Sequence, residues 1–209
     1  MLKLYDYFRS SCAYRLRIAL NLKAVEYQTI PIDLLQNEQQ EEAYLKVNPQ
    51  GLVPALQIDE TRVLTQSNAI LEWLDESYKP ALYADDITRR AKQRALCNMI
   101  ACDIHPLNNL RVLKYLSSNL SISEEQKNDW YRHWVEQTFS VIEHKIEANP
   151  YACGSEPSMV DVYLVPQVFN ALRFKCDTAK FPQIMSVYQH CNTQAEFIAA
   201  KPENVMPAV

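Results

Sequence analysis

Residues 9–15 read Arg-Ser-Ser-Cys-Ala-Tyr-Arg: two hydroxyls and a thiol in a row, with an arginine at either end. Before them, Leu2-Lys3-Leu4-Tyr5 alternates with period two, as a half-buried strand does. After them, Tyr14 to Lys23 puts Leu16, Ala19 and Leu20 on one helical face and Arg15 and Arg17 near the other. Ser10, Ser11 and Cys12 are therefore expected where a helix begins. Backbone N–H groups at such a start lack helical partners, and the helix dipole is positive there. The chemistry favoured at that spot is the holding of an anion, a thiolate among others.

Two further patterns in the same third of the chain fit this chemistry. Val53-Pro54 opens an apolar run that continues to Ile58. Proline pushes Val53 into an extended conformation, and the residues alone allow either a cis or a trans bond. A cis bond would turn the Val53 N–H and C=O toward an open edge, ready to pair with an extended peptide. Gln66-Ser67 marks another helix start, where a hydroxyl, an amide and free N–H groups can bind a carboxylate. The three patterns together describe a slot for a small peptide with a thiol at one end and a carboxylate at the other.

The elements that must position these residues alternate over the first 78 positions. Strand 2–5 and helix 14–23 are followed by an extended segment, Val25 to Ile32, and a polar, short helix over 38–46. Asn48-Pro49-Gln50-Gly51 is a turn signal. Val53 to Ile58 reads as a strand, Asp59-Glu60 as a hairpin turn, and Arg62 to Thr65 as the returning strand. Ser67 is then the expected N-cap of a helix with Ile70, Leu71 and Leu74 as its stripe. From Thr88 onward the spacing is helical throughout. Leu96, Ile100, Ile104, Leu107 and Leu110 form one stripe, with Pro106 expected to bend the helix. Tyr131, Val135, Phe139, Ile142 and Ile146 form another, with Trp130 and Trp134 read as core. Ser158-Met159-Val160-Asp161 has a capping-box spacing and reads as a folding device. The expected plan is an α/β domain over 1–80 and an all-α domain over 87–209, joined through a proline-bearing, polar stretch.

Bulk properties narrow the function classes. A net charge of −4 argues against nucleic acid as the main partner. No apolar run reaches the length of a membrane span, and the N-terminus lacks a charged-then-apolar signal pattern. Six scattered cysteines without a scaffold rhythm read as reduced thiols, so a cytoplasmic location is expected. The only two glycines, Gly51 and Gly154, leave no glycine-rich phosphate cradle. Cys97, Cys102 and His105 invite a metal reading, but their angles around a helix do not converge, so no metal is expected.

With these residues in view, the chain resembles the zeta class of glutathione transferases, the maleylacetoacetate isomerases. Tyr7 to Leu20, Asn48-Pro49 with Val53-Pro54, and Gln66 to Ile70 carry the resemblance. So do the later Ile104 to Leu113, Val165 to Val168, and Arg173-Phe174. The similarity spans nearly the whole length. It implies a thioredoxin-like first domain, a helical second domain, a cis Val53-Pro54 bond and a homodimer. It implies glutathione held against Ser10, Ser11 and Cys12, with Gln39, the Val53-Pro54 backbone, Gln66 and Ser67 on its peptide part. In the second domain Asn109 matches the pattern, and His105 stands where relatives carry a glutamine. Tyr14 stands where relatives carry tryptophan.

The implied reaction is cis–trans isomerisation of maleylacetoacetate to fumarylacetoacetate in tyrosine and phenylalanine breakdown. A thiolate adds reversibly to the conjugated double bond, the bond rotates, and the thiolate leaves. A free thiol with pKa about 8.5 is only roughly 3% ionised at pH 7. The site must therefore favour the anion, through a hydrogen bond from Ser10 and the helix start. Arg9 and Arg173 are the candidates for substrate carboxylates, because a guanidinium fork matches a carboxylate. Several residues keep two readings at this level. Ser10 and Ser11 serve equally as plain caps, Cys12 as a buried packing residue, and Arg173 as a surface or helix-end charge. Other activities compatible with the same residues are maleylpyruvate isomerisation, or glutathione transfer and dehalogenation on small halo acids. A protein of this fold that binds a partner without catalysis is the reading of another class.

Overall fold

A computed structural model describes residues 1–206 and divides the chain into two compact units. One is Met1–Ala81 together with the segment from Asn192 onward; the other is Leu82–Cys191.

In the first unit, β1 (Leu2–Asp6) leads into α1 (Ser11–Leu22) and then β2 (Tyr27–Pro31). A 3-10 turn (Glu38–Gln40) and α2 (Glu42–Leu45) precede β3 (Ala55–Gln57), β4 (Val63–Thr65) and α3 (Ser67–Ser77). The sheet order is β2-β1-β3-β4. β1 and β2 run parallel, which requires the crossover that α1 supplies. β3 is antiparallel to both β1 and β4. The β3–β4 hairpin closes on Asp59, whose carboxylate accepts from the Thr61 and Arg62 amides at 3.0 and 2.9 Å. The core joins Leu4 and Leu56 of the sheet to Leu16 and Leu20 of α1 and Ile70, Leu71 and Leu74 of α3, all fully buried.

Two expectations are corrected here. Helix α1 starts earlier than its apolar stripe, at Ser11, and Arg15 and Arg17 do not face water. Both are buried, because residues 11–20 of α1 are covered on every side. Ser67 is not the cap of α3 but its first residue; Gln66 takes the cap position with φ +68° and no side-chain bond to the helix.

The second unit is helical: α4 (Ile87–Asn98), α5 (His105–Asn108), α6 (Leu110–Asn119), α7 (Glu124–Glu143), α8 (Met159–Arg173) and α9 (Pro182–Cys191). The bend expected at Pro106 is a break in front of it. The chain widens into a π-helical segment, Met99–Ile104, before α5. Proline has no N–H for the carbonyl four residues back, and its ring crowds that carbonyl, which favours the wider turns here, although α8 runs on through Pro166. α8 begins where the capping-box spacing places it, at Ser158.

The last residues differ from the expected plan. Instead of continuing the second domain to residue 209, the segment from Asn192 belongs with the first unit. It contains α10 (Ala195–Ala199) and α11 (Pro202–Val205). Asn21 Nδ2 donates to the Glu196 carbonyl at 2.9 Å, and Arg17 Nε to the Ala200 carbonyl at 2.9 Å. Polar side chains of α1 thus serve as anchors for a segment nearly two hundred residues away, which no local pattern encodes. The expected end at residue 209 lies outside the described residues. Among those described, no helix is long and apolar enough to cross a membrane.

Candidate functional site

Strand register brings the three N-terminal patterns to one end of the sheet. Tyr5 lies opposite Ala55, and Ala55 opposite Thr65. The chain leaving β1 toward Ser10, the chain arriving at β3 through Val53-Pro54, and the chain leaving β4 into Gln66 therefore share that end. Asp6 also lies opposite Pro31, so the segment leading to Gln39 departs there too.

Ser10 is the N-cap of α1, in extended conformation. Its amide donates to the Tyr7 carbonyl at 2.8 Å, and its Oγ accepts from the Ala13 amide at 3.3 Å. That use leaves the hydroxyl hydrogen to donate elsewhere. Ser10 is half-buried, whereas Ser11 and Cys12 lie in the first turn at 7% and 9% exposure. Arg15 Nη1 points at Cys12 Sγ across 3.8 Å, which fixes a buried positive charge beside the helix start. Helical periodicity gave no sign of this arginine, since a charge at that spacing ordinarily faces solvent.

Val53-Pro54 is cis, as are Lys79-Pro80 and Asn149-Pro150. Val53 precedes the first ladder pair of β3, and its N–H and C=O bond to no other group among the described residues. The loop before it is rigidly held. The Leu52 carbonyl accepts from Tyr44 Oη at 2.6 Å and Asn48 Nδ2 at 2.7 Å. Burial pushes the Tyr44 hydroxyl up to about 12, so it remains a donor at neutral pH. Gly51 sits at φ +60°, and a Cβ there would meet Gln40 Nε2 at 2.5 Å and the Gln39 carbonyl at 3.0 Å. Only glycine allows the 3-10 turn to close on this loop. Gln39 Oε1 is buried and accepts no hydrogen bond among the described residues. Gln66 is exposed, strained at φ +68°, and held by a bond from its Nε2 to Gln50 Oε1 at 2.9 Å. Ser67 beside it is buried at 7% exposure.

These groups suit a peptide ligand. The Val53 backbone offers one donor and one acceptor, Gln39 an unused acceptor, and α1 and α3 two helix starts with hydroxyls. Arg9 is exposed at the rim, its guanidinium carbon 5.0 Å over the Phe8 ring.

The remaining expected site residues belong to the second unit. His105 opens α5 and is half-buried. Asn109 is occupied with folding. Its Oδ1 caps α6 by accepting from the Val112 amide at 3.1 Å, and its Nδ2 donates to the Pro106 carbonyl at 3.0 Å. Arg173 ends α8, exposed, with Nη1 donating to Asn170 Oδ1 at 3.3 Å. Its guanidinium carbon lies 6.0 Å from the rings of Phe169 and Phe174. Phe174 in turn stacks on Tyr131 at 3.6 Å and 4°. The Tyr131–Phe174 stack was not legible as support for Arg173, because partners so far apart in the chain leave no shared spacing. Among the described residues no group of three or more His, Cys, Asp or Glu side chains is placed to hold a metal ion.

Comparison with known proteins identifies the family. The glutathione S-transferase N-terminal domain matches residues 9–77, and the C-terminal domain of the same family matches residues 112–195. The chain is 43% identical over 206 residues to the maleylacetoacetate isomerase of Pseudomonas aeruginosa, covering 97% of both chains. A solved holo structure of maleylpyruvate isomerase, described as a bacterial zeta-class glutathione S-transferase, superposes with TM-score 0.95 at 40% identity, over 99% of this chain and 100% of that one. The maleylacetoacetate isomerase of Methylobacterium extorquens AM1, solved with bound malonate and glutathione, gives TM-score 0.93 at 32% identity, over 99% and 100%. Both domains, the length and the solved zeta-class relative agree: the chain belongs to the glutathione S-transferase family, in its zeta class.

Proposed function

We propose that the chain is a glutathione-dependent cis–trans isomerase whose substrate is maleylacetoacetate, with the related maleylpyruvate as the second reading. The single observation that carries this is the open N-cap at Ser10, where a hydroxyl with a spare hydrogen stands at the positive end of α1. Glutathione, when bound, supplies a thiolate that adds to the conjugated double bond and leaves again after rotation.

The chain's own residues do the rest. Ser10 donates its hydroxyl hydrogen to the sulfur, and the start of α1 favours the negative charge. Ser11 and Cys12 shape that first turn, and their burial supports a role in holding it for the thiol. The Val53 N–H and C=O pair with the peptide backbone of glutathione beside cis Pro54. Gln39 accepts from it, and Gln66 and Ser67 take a carboxylate at the start of α3. Arg9 and Arg173 are each guanidinium groups suited to a substrate carboxylate, whereas both ends of the Asn109 amide are taken by Val112 and Pro106. Two relatives support the choice of a diacid substrate. One is named for maleylpyruvate, and another was solved with bound malonate and glutathione. The six free cysteines suit a reducing cytoplasm, and the family likeness supports a homodimer.

The test is a spectrophotometric assay of maleylacetoacetate and maleylpyruvate with and without glutathione, on material that light scattering finds at the mass of two chains. Conversion requires glutathione, and Ser10→Ala lowers kcat by about tenfold or more, as expected for loss of a positioned donor. A Ser10→Ala variant with undiminished turnover would remove Ser10 from the mechanism.

A further inference from the structure

Arg17 is the most enclosed cation near the proposed sulfur site, and nothing so far assigns it a task. Its side chain has no exposure to solvent. Its guanidinium reaches three chain segments at once. Nη1 donates to both carboxylate oxygens of Asp6, at the end of β1, at 2.7 and 2.9 Å. Nη2 donates to the Phe8 carbonyl at 3.1 Å, and Nε to the Ala200 carbonyl at 2.9 Å. The guanidinium carbon also lies 5.2 Å over the Tyr14 ring. Phe8 is the inner residue of the turn that ends on Ser10, whose amide bonds to Tyr7. The plane of the peptide after Phe8 sets the direction in which Arg9 and Ser10 leave the strand, and Arg17 holds that plane by its oxygen.

We propose that Arg17 is a positioning residue for the thiol site. It locks the Tyr7–Ser10 turn to the end of β1 and to the returning C-terminal segment, and so fixes where the Ser10 hydroxyl points. The inference rests on the reading of Ser10 as the sulfur's partner. A single guanidinium is suited to this task because its planar fork serves several acceptors in fixed directions, which an ammonium cannot do. A hydroxyl misplaced by about 1 Å forfeits much of its effect on a reacting atom.

Lys23 provides an internal control. It is another cation of this unit with a fully buried side chain, and it also ties backbone carbonyls together, those of Tyr78 and Pro80, beside Asp75. It touches no part of the Ser10 turn. If burial of a cation mattered only for stability, the two would behave alike.

The experiment compares Arg17→Lys, Asp6→Asn and Lys23→Met in the full chain. Three readouts are taken: thermal unfolding, amide exchange of residues 7–13 without ligand, and the thiol pKa of bound glutathione followed by thiolate absorbance. Arg17→Lys is expected to accelerate exchange in 7–13 and raise the bound thiol pKa, with kcat lower by about tenfold to a hundredfold. Asp6→Asn, which keeps one acceptor for Nη1, shifts both readouts the same way by less. Lys23→Met lowers the unfolding temperature and leaves both readouts unchanged. A folded Arg17→Lys with wild-type exchange and thiol pKa overturns the proposal. Should Arg17→Lys not fold, Asp6→Asn decides, and unaltered exchange in 7–13 overturns it. Ser10→Ala separates the two levels. If it leaves the bound thiol pKa unmoved, the Ser10 reading fails. If it raises that pKa while Arg17→Lys does not, only the role of Arg17 fails.

Discussion

Among the helices that a serine caps, α1 at Ser10 and α8 at Ser158 use it in opposite ways. At Ser158 the residue three places on is Asp161. Its carboxylate accepts from the Ser158 amide at 2.8 Å, the Ser158 hydroxyl at 2.7 Å and the Ala152 amide at 2.8 Å. Ser158 and Asp161 are 4% and 0% exposed, so the helix start is answered wholly from within the chain. Burial pushes the Asp161 carboxyl upward, and these hydrogen bonds oppose it. At Ser10 the residue three places on is Ala13, fully buried, and α1 has no acidic residue in its first turn. Ser10 stays half-buried. A helix start with its own carboxylate is a folding device; one without, and open, is left to an anion from outside.

Three substitutions test that contrast, from the largest effect to the smallest. Asp161→Ala strands buried donors at α8 and should cost about 3 kcal/mol, seen as a fall in melting temperature on the order of 10 °C. A loss below about 1 kcal/mol would mean that the closed box contributes little. Ser10→Ala removes a long, half-exposed cap bond and should cost only about 0.5–1 kcal/mol in denaturant titration. A cost equal to that of Asp161→Ala would make Ser10 a structural cap and dissolve the contrast. Asp59 is a third carboxylate that answers backbone amides, but in open water. Hydrogen bonds from the Arg62 side chain and the Thr61 amide hold its carboxyl well below the usual range. Its contribution is therefore full above the ordinary carboxylate value near about 4 and fades as pH falls toward the depressed one. Asp59→Asn should lower the melting temperature by about 1–2 °C at neutral pH. The gap to wild type should narrow as pH is lowered from about 6 to about 2, and a gap independent of pH would refute the linkage.

Much of this was legible before any coordinates. The period-two run at Leu2–Tyr5, the turn at Asn48–Gly51 and the spacing of Ser158 and Asp161 each depend on neighbours a few residues apart, so local chemistry specifies them. The motif around Ser10 carried the family. What escaped was whatever depends on distant partners. Arg17 at helical spacing reads as a surface charge until the segment at Ala200 covers it. Asn109 matches a ligand-binding pattern, yet its amide is occupied at both ends, by the start of α6 and by the Pro106 carbonyl of α5. Gln66 at φ +68° carries a strain that no residue type announces.

The amino-acid order by itself determined the starts of α1 and α8, the strands and which of the two serines brings its own carboxylate, because capping and alternation act over three or four residues. Only the tertiary structure decided that Arg15 and Arg17 are buried, that the last segment returns to the first unit, and that the Ser10, Val53 and Gln66 segments leave the sheet at one end. The shared sheet end follows from strand register, and the burial of Arg17 is met by Asp6 and by the Ala200 carbonyl nearly two hundred residues away. Burying a guanidinium is tolerable only when such partners arrive to meet it.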